Sequence, residues 1–189
     1  TKYVKNSVSE QEMKKYKAMV QLFKKYADKY DFNYLMVIAQ AYQESGLDHS
    51  RRSPAGAVGV MQLLPTTAAD PNINIADIKK LENNIHAGTK YLRFIIDRYY
   101  KDEPMDDVNK LLFAFASYNA GPARVRELRE KTEKMGLDPN VWFGNVEIAA
   151  AKSIGRETVQ YVRNIYKYYV TYQMAVKQVE KKQSGQVSK

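Results

Sequence analysis

The sequence predicts an all-α fold. Apolar residues recur at steps of three and four over most of the 189 residues, which is the spacing of amphipathic helices. No stretch alternates apolar and polar residues in the manner of a strand, and no segment repeats. The length suits one domain with its own hydrophobic core, and no apolar run is long enough to span a membrane.

The first two predicted helices differ in how they bury their side chains. Residues 1–30 form an amphipathic helix, with apolar side chains at helical spacing from Met13 to Tyr30, and we expect it to pack on the rest of the domain. The next helix, from Tyr34 to Ser45, is apolar on almost every side, which is typical of a helix covered all round. Gly46 is expected to end it.

Six further helices complete the prediction, separated by loops over 48–60, 70–80 and 136–145. They are a short helix over 65–69, one from Ile85 to Tyr99, one capped by Asp106 or Asp107 and ended by Gly121, one that starts at Pro122, a short one over 146–152, and a long one from Glu157 to Lys182. We expect residues 173–189 to form the end of the last helix and a basic, disordered tail.

The charge distribution argues against nucleic acid as a partner. The net charge is +9, but residues 1–30 carry eight lysines and three acids, and residues 170–189 carry four lysines and one acid. The middle of the chain holds 18 basic and 17 acidic residues. A nucleic-acid-binding domain normally carries its positive charge on its recognition elements, and here the excess lies at the two ends.

The composition also limits the possible cofactors. Without cysteine, the chain has no disulfide, no thiol nucleophile and no thiolate metal ligand. His49 and His86 are far apart in the sequence, and neither has an acidic partner at the spacing of metal ligands. We therefore expect no metal and no cofactor.

Glu44 is the strongest catalytic candidate. It ends the most apolar helix, where apolar surroundings oppose ionisation and the helix C-terminus adds partial negative charge. Both effects keep a proton on the carboxyl group near neutral pH, as a general acid requires. Ser45 is placed to hold that group by a hydrogen bond. The alternative is an ordinary helix-end glutamate that faces solvent.

Three other segments carry side chains suited to binding a ligand. Each also has an ordinary explanation, as a surface loop, a helix cap or the acidic start of a helix. The segments are the glycine turn Gly56 to Leu63 with Met61 and Gln62, the helix end Ser117 to Gly121 with Tyr118 and Asn119, and the helix start with Glu157 and Tyr161.

In their order and spacing, the four segments resemble the catalytic domain of the SLT-type lytic transglycosylases, which are lysozyme-like enzymes of the bacterial cell wall. The family pattern is Glu-Ser, Gly-Leu-Met-Gln, Ala-Tyr-Asn-Ala-Gly, and Glu-Thr with a later Tyr. The matching residues are Glu44-Ser45, Gly59-Val60-Met61-Gln62, Ser117-Tyr118-Asn119-Ala120-Gly121, and Glu157-Thr158 with Tyr161. Val60 and Ser117 depart mildly from the pattern. The resemblance covers roughly 25–172 and implies a lysozyme-like (goose-type/SLT) domain whose buried central helix carries the catalytic Glu.

The resemblance implies a reaction that needs a single carboxyl group. Glu44 would protonate the oxygen between N-acetylmuramic acid and N-acetylglucosamine, then accept the proton of the sugar's own 6-hydroxyl, which gives a 1,6-anhydromuramyl end. Hydrolysis usually needs two carboxylates, and residues 50–68 contain neither Asp nor Glu, although goose-type lysozymes would carry helper aspartates there. A goose-type lysozyme-like hydrolase and a non-catalytic glycan-binding module are the alternatives.

The same resemblance assigns roles to the remaining site residues. Ser45 would orient Glu44 or the acetamido group, and the backbone around Met61 would line the cleft. The sugars near the scissile bond would be held by Gln62, Tyr118 and Asn119. Glu157 and Tyr161 would close the opposite wall.

The resemblance extends to partners and location. It implies peptidoglycan glycan strands and muropeptides as substrates, and the bacterial periplasm or cell envelope as the location, with outer-membrane association of the full-length protein as one option. The likeness is greatest to the C-terminal module of a membrane-bound subfamily that carries a solute-binding-protein-like domain ahead of the lyase. These 189 residues show no such domain, and a chain that starts at Thr1 without a signal peptide is consistent with an excised fragment.

Overall fold

A computed structural model describes the backbone of residues 10–186 and the side chains of residues 14–183. Within that range the fold is all-α, as predicted. The helices are α1 (Glu10–Lys29), α2 (Tyr34–Ser45), α3 (Pro65–Ala69), α4 (Leu81–Tyr99), α5 (Asp107–Ala120), α6 (Pro122–Lys134), α7 (Glu147–Ser153) and α8 (Glu157–Gln186), with a π-type turn at Trp142–Val146 before α7.

The central position of α2 is confirmed. Its buried residues face all directions, as the nearly continuous apolar sequence requires: Met36, Val37, Ile38, Ala39, Gln40, Ala41 and Ser45. α1 packs on one side of this helix and α8 on another. The side chain of Asn33 caps the start by accepting a hydrogen bond from Leu35 N, and Gly46 ends the helix in the left-handed conformation, with φ +68°.

The apolar side chains form one large core and two smaller clusters. The large core joins α2, α4, α5, α6, α7 and α8 around Phe113 and Trp142, whose rings meet edge to face with centroids 5.6 Å apart. A second cluster holds α1 against α2, and a third is formed by the apolar side chains of residues 58–78 together with α4. The large core fixes α8 against α2 and α5, so residues distant in the sequence meet at the end of α2.

Several predicted boundaries differ from the structure. The last helix continues to Gln186, past the predicted end at Lys182, so the part of the tail that is described is helical. α4 begins at Leu81 rather than at Ile85, since its first turn packs against α1. Residues 1–9 of the predicted first helix and the last three residues of the tail lie outside the described range. None of the described helices combines the length and the apolar character needed to cross a bilayer.

Candidate active site

Glu44 lies at the C-terminal end of α2 and faces the first turns of α8. The Tyr161 hydroxyl donates a hydrogen bond to Glu44 Oε1 at 2.5 Å. Burial raises the pKa of the Glu44 carboxyl group from 4.5 to about 7, although the hydrogen bond from Tyr161 and the charge of Arg51 act in the opposite direction. A group with this pKa can both give and take a proton near neutral pH.

Tyr161 owes its position to the long α8 helix, which runs beside α2. Its side chain is only 5% exposed. The Tyr161 hydroxyl oxygen accepts a hydrogen bond from Gln40 Nε2 at 3.1 Å, and the same hydroxyl donates its hydrogen bond to Glu44. Burial, followed by the charge of Glu44, raises the pKa of Tyr161 well above its ordinary value, so the phenol stays protonated and remains a donor.

Ser45 differs from the role expected for it. Its hydroxyl is buried and bonds to the carbonyl oxygens of Ala41 (3.1 Å) and Val60 (2.9 Å), not to the neighbouring Glu44 carboxyl group. A hydroxyl has one proton to donate, and here two backbone carbonyls share it. Ser45 therefore ties the end of α2 to the glycine turn and positions the turn beside the catalytic candidate.

Two residues that the sequence did not single out hold the glycine turn. Asn84 of α4 is fully buried, accepts from Met61 N at 2.9 Å and donates to the carbonyl oxygens of Val58 (2.8 Å) and Ile78 (3.0 Å). His49 lies between Lys79 O (2.7 Å from Nε2) and Val60 N (3.2 Å from Nδ1). The sequence pointed to Asn84 only as a polar residue at one of the buried, otherwise mostly apolar positions of α4.

Gly59 shows how tightly this turn is packed. Its φ is +77°, which favours glycine. A Cβ at this position would lie 2.6 Å from His49 Cε1 and 2.7 Å from Asn84 Nδ2. The glycine is therefore required by both its backbone conformation and the close approach of two side chains.

Met61 and Gln62 serve the turn itself. The Met61 side chain is fully buried in the cluster beneath α1, and its carbonyl oxygen accepts a hydrogen bond from the Tyr118 hydroxyl at 2.7 Å. Gln62 Nε2 donates to Gly59 O at 2.8 Å and to Arg51 O at 3.2 Å. Both residues make these hydrogen bonds within the glycine turn and to α5, and the role of Gln62 in holding the sugar stays a prediction.

Tyr118 stands between the glycine turn and Glu44. Burial is the main cause that raises the pKa of its hydroxyl well above the ordinary value, and the nearby charge of Glu44 adds to it. The hydroxyl proton is committed to Met61 O. Tyr118 therefore braces the turn from α5, and its ring fills the space beside the carboxyl group.

An open pocket of about 400 Å³ lies over Glu44. Four predicted site residues line it together with two glutamines that sequence reasoning missed: Gln43, Glu44, Asn119, Glu157, Gln160 and Tyr161. Asn119 accepts a hydrogen bond from the Thr158 hydroxyl at 2.8 Å, which joins the end of α5 to the start of α8. The other four predicted residues, Ser45, Met61, Gln62 and Tyr118, do not line this pocket, and their hydrogen bonds join the end of α2, the glycine turn and α5.

Within the described part of the chain, no group of three or more His, Asp or Glu side chains is close enough to hold a metal ion. His86 stacks on Tyr26, with centroids 4.3 Å apart, and its Nε2 lies 2.7 Å from the Tyr30 hydroxyl, at the contact between α1 and α4. Its role there is structural.

This chain is similar to known proteins in both sequence and fold. The family model described as "Transglycosylase SLT domain" matches residues 21–140. Membrane-bound lytic murein transglycosylase F from Desulfosudis oleivorans is 35% identical over an alignment of 161 residues, and the alignment covers 78% of this chain and 35% of that protein. The protein of the same name from Shewanella woodyi is 35% identical over an alignment of 154 residues, which covers 75% of this chain and 31% of that protein.

A solved structure shows the same fold. The 70 kDa soluble lytic transglycosylase from Escherichia coli is similar with a TM-score of 0.62 and 30% sequence identity, over 82% of this chain and 24% of that one. The chain therefore spans only about a third of the length of the curated relatives that it matches.

Proposed function

Since this chain belongs to the transglycosylase SLT domain family, we propose that it is a peptidoglycan lytic transglycosylase, a carbon–oxygen lyase. It cleaves the β-1,4 bond between N-acetylmuramic acid and N-acetylglucosamine and forms a 1,6-anhydromuramyl end. The observation that carries the proposal is the half-buried Glu44, whose carboxyl group has a pKa of about 7 and accepts a hydrogen bond from the Tyr161 hydroxyl.

In the first half of the reaction Glu44 is the general acid. The protonated carboxyl group gives its proton to the glycosidic oxygen, the bond from that oxygen to the anomeric carbon of the muramyl residue breaks, and the N-acetylglucosamine side leaves with a free hydroxyl. The acetamido group of the muramyl residue supports the positive charge at the anomeric carbon. Burial, which keeps the proton on Glu44 at neutral pH, supports this step.

In the second half Glu44 is the general base. As a carboxylate it accepts the proton of the muramyl 6-hydroxyl, whose oxygen bonds to the anomeric carbon and closes the anhydro ring. Glu44 ends with the proton that it began with, and no water is consumed. The hydrogen bond from Tyr161 stabilises the carboxylate between the two steps.

The pocket residues have distinct roles in this proposal. Asn119, Glu157 and Gln160 offer amide and carboxylate groups to sugar hydroxyls at the surface of the pocket. Ser45, Met61, Gln62 and Tyr118 hold the glycine turn in place beside the pocket. Gln62 and Tyr118 also contact the sugar near the scissile bond. The lyase unit corresponds to residues 25–172, with residues 1–30, of which Glu10–Lys29 form α1, at its start and residues 173–189 as its basic end.

The partners and location follow from the same assignment. The substrates are peptidoglycan glycan strands and muropeptides, and the site of action is the cell envelope. The relatives are named as membrane-bound, and most of their length lies outside the region matched here. A solute-binding-like domain in the whole protein is therefore part of the proposal. The surplus lysines at both ends of this chain serve solubility or attraction to an acidic surface, and nucleic acid is not a partner.

The proposal is tested with purified sacculi and the variant Glu44→Gln, which keeps the size of the side chain and removes the titrating group. We expect no solubilisation by this variant and full solubilisation by Glu130→Gln, which removes an exposed carboxylate on α6. Mass spectrometry of the released muropeptides should show anhydro ends, lighter by one water than hydrolysis products.

Three outcomes would contradict the proposal. Unchanged cleavage by Glu44→Gln would remove Glu44 from the chemistry. Reducing muramyl ends would make the protein a lysozyme-like hydrolase. Binding of sacculi by the wild-type protein without any cleavage would leave a glycan-binding module.

A further inference from the structure

Gln40 lies one turn before Glu44 on α2, and its side chain is fully buried. A buried amide costs free energy unless hydrogen bonds satisfy it. Gln40 Nε2 donates to the Tyr161 oxygen at 3.1 Å, while Gln40 Oε1 has no hydrogen-bond partner among the described residues. A buried amide whose nitrogen donates a hydrogen bond but whose oxygen has no partner is costly to keep in the core, which points to a role beyond packing.

The direction of the hydrogen bonds follows from the chemistry of the groups. An amide nitrogen only donates, so the Tyr161 oxygen is the acceptor towards Gln40. The phenol has one proton, which it donates in the hydrogen bond to Glu44 Oε1. A phenol that accepts a hydrogen bond becomes a stronger donor, because the bonds of a chain polarise one another. Gln40 therefore acts on Glu44 through Tyr161.

We propose that Gln40 is a positioning residue for the acid–base chemistry of Glu44. It holds the Tyr161 hydroxyl with its proton directed at Glu44 and so stabilises the carboxylate that forms midway through the reaction. This inference rests on the proposed function, because only that function requires Glu44 to ionise and be reprotonated in each cycle.

Other groups also act on Glu44, and they come from each element around it. α8 contributes Tyr161 and Glu157, α5 contributes Tyr118, and the loop after α2 contributes Arg51. Burial is the largest influence and raises the pKa of Glu44, while Tyr161 and Arg51 lower it. Loss of the Gln40 hydrogen bond weakens one of the two lowering influences, so the pKa of Glu44 should rise.

The test is the variant Gln40→Met, which keeps the length of the side chain and removes the donor. The pH titration of Glu44 is followed by NMR on protein with ¹³C-labelled glutamate carboxyl groups, and the Glu44 signal is assigned by its loss in Glu44→Gln. We expect the midpoint to move up by roughly 0.5 in pH, because the Tyr161 bond loses part of its strength. The acidic side of the pH profile for sacculus cleavage should move by the same amount.

Two controls separate this role from packing. Met36→Ala makes a packing defect one turn before Gln40 on α2, in the same core as Tyr161, and should lower the thermal midpoint without moving the Glu44 titration. In a Tyr161→Phe background, Gln40→Met should have no further effect on the Glu44 titration. Should Gln40→Met fail to fold, Gln40→Leu also removes the donor and should move the midpoint in the same direction by a similar amount.

The outcomes are decisive in both directions. An unchanged Glu44 midpoint in Gln40→Met, an equal movement in Met36→Ala, or an effect that persists without the Tyr161 hydroxyl would each overturn the inference. If the Glu44 titration midpoint moves as expected in Gln40→Met but the wild-type protein cleaves no sacculi, the hydrogen-bond role of Gln40 stands and the proposed function is refuted.

Discussion

Removal of the Glu44 carboxyl group should stabilise the folded protein, and the gain should depend on pH. Burial raises the pKa of this group from 4.5 to about 7 in the folded state, while the unfolded chain retains the ordinary value. One pKa unit corresponds to about 1.4 kcal/mol, so the ionised group destabilises the fold by about 3 kcal/mol. The substitution Glu44→Gln removes this cost and keeps an amide oxygen that can accept the hydrogen bond from the Tyr161 hydroxyl.

The sign of the pH dependence follows from proton binding. Between the two pKa values the folded protein keeps the Glu44 proton that the unfolded chain has released, so wild-type stability falls as the pH rises through this window. Below about pH 4.5 the group is protonated in both states and contributes nothing, and above about pH 7 the full cost applies. Glu44→Gln should therefore match the wild type in acid and exceed it in mild alkali.

Urea unfolding of both proteins from about pH 4 to about pH 8.5 measures the difference. At the alkaline end we expect Glu44→Gln to be more stable by about 3 kcal/mol, roughly 6–12 °C in the thermal midpoint for a chain of this size. Glu157→Gln, which removes an exposed carboxylate from the same pocket, should keep the wild-type loss of stability with pH. A difference between Glu44→Gln and wild type that stays constant across this pH range would refute the argument from burial.

Two further predictions concern the wall of the site. Gly59→Ala should lower the free energy of unfolding, measured in urea, by more than about 2 kcal/mol, because the added Cβ lies 2.6 Å from the His49 side chain. Gly56 has a similar positive φ but open space around it, so Gly56→Ala should cost only the backbone strain. Equal losses in the two variants would contradict the steric explanation. Tyr118→Phe should cost about 1–3 kcal/mol by the same measurement, because it leaves the Met61 carbonyl without its donor, and wild-type stability would show that this hydrogen bond is dispensable.

The order and type of the helices could be predicted because they depend on local patterns. The nearly continuous apolar run from Tyr34 to Ser45 required burial on all sides. Asp106 marked the start of α5 through its capping side chain, and Gly121 and Pro122 marked the boundary between α5 and α6 through their backbone preferences. The start of α4 and the end of α8 were predicted less well. Packing against α1 supports the first turn of α4, and local patterns do not report such contacts.

The candidate site was predicted in part for the same reason. Glu44 was identifiable because it ends the most apolar helix and stands in the Glu-Ser pair of the family pattern. The loss of water by its carboxyl group depends on the packing around it. Ser45, Met61 and Gln62 were identifiable as a pattern, but the direction of their side chains was not, since it depends on the neighbours that the fold brings to them. Gln40 and Asn84 carried only a weak signal, as polar residues at buried positions.

The sequence by itself therefore determined an all-α chain, a buried central helix and one acid at its end, because hydrophobic periodicity and helix capping act between residues close in the chain. Only the tertiary structure decided which groups surround that acid. The Tyr161 hydroxyl reaches Glu44 across 117 positions, and the Tyr118 hydroxyl reaches Met61 across 57. Such hydrogen bonds form because the core packs α8 and α5 against α2, and the desolvation that raises the pKa of Glu44 comes from the same packing.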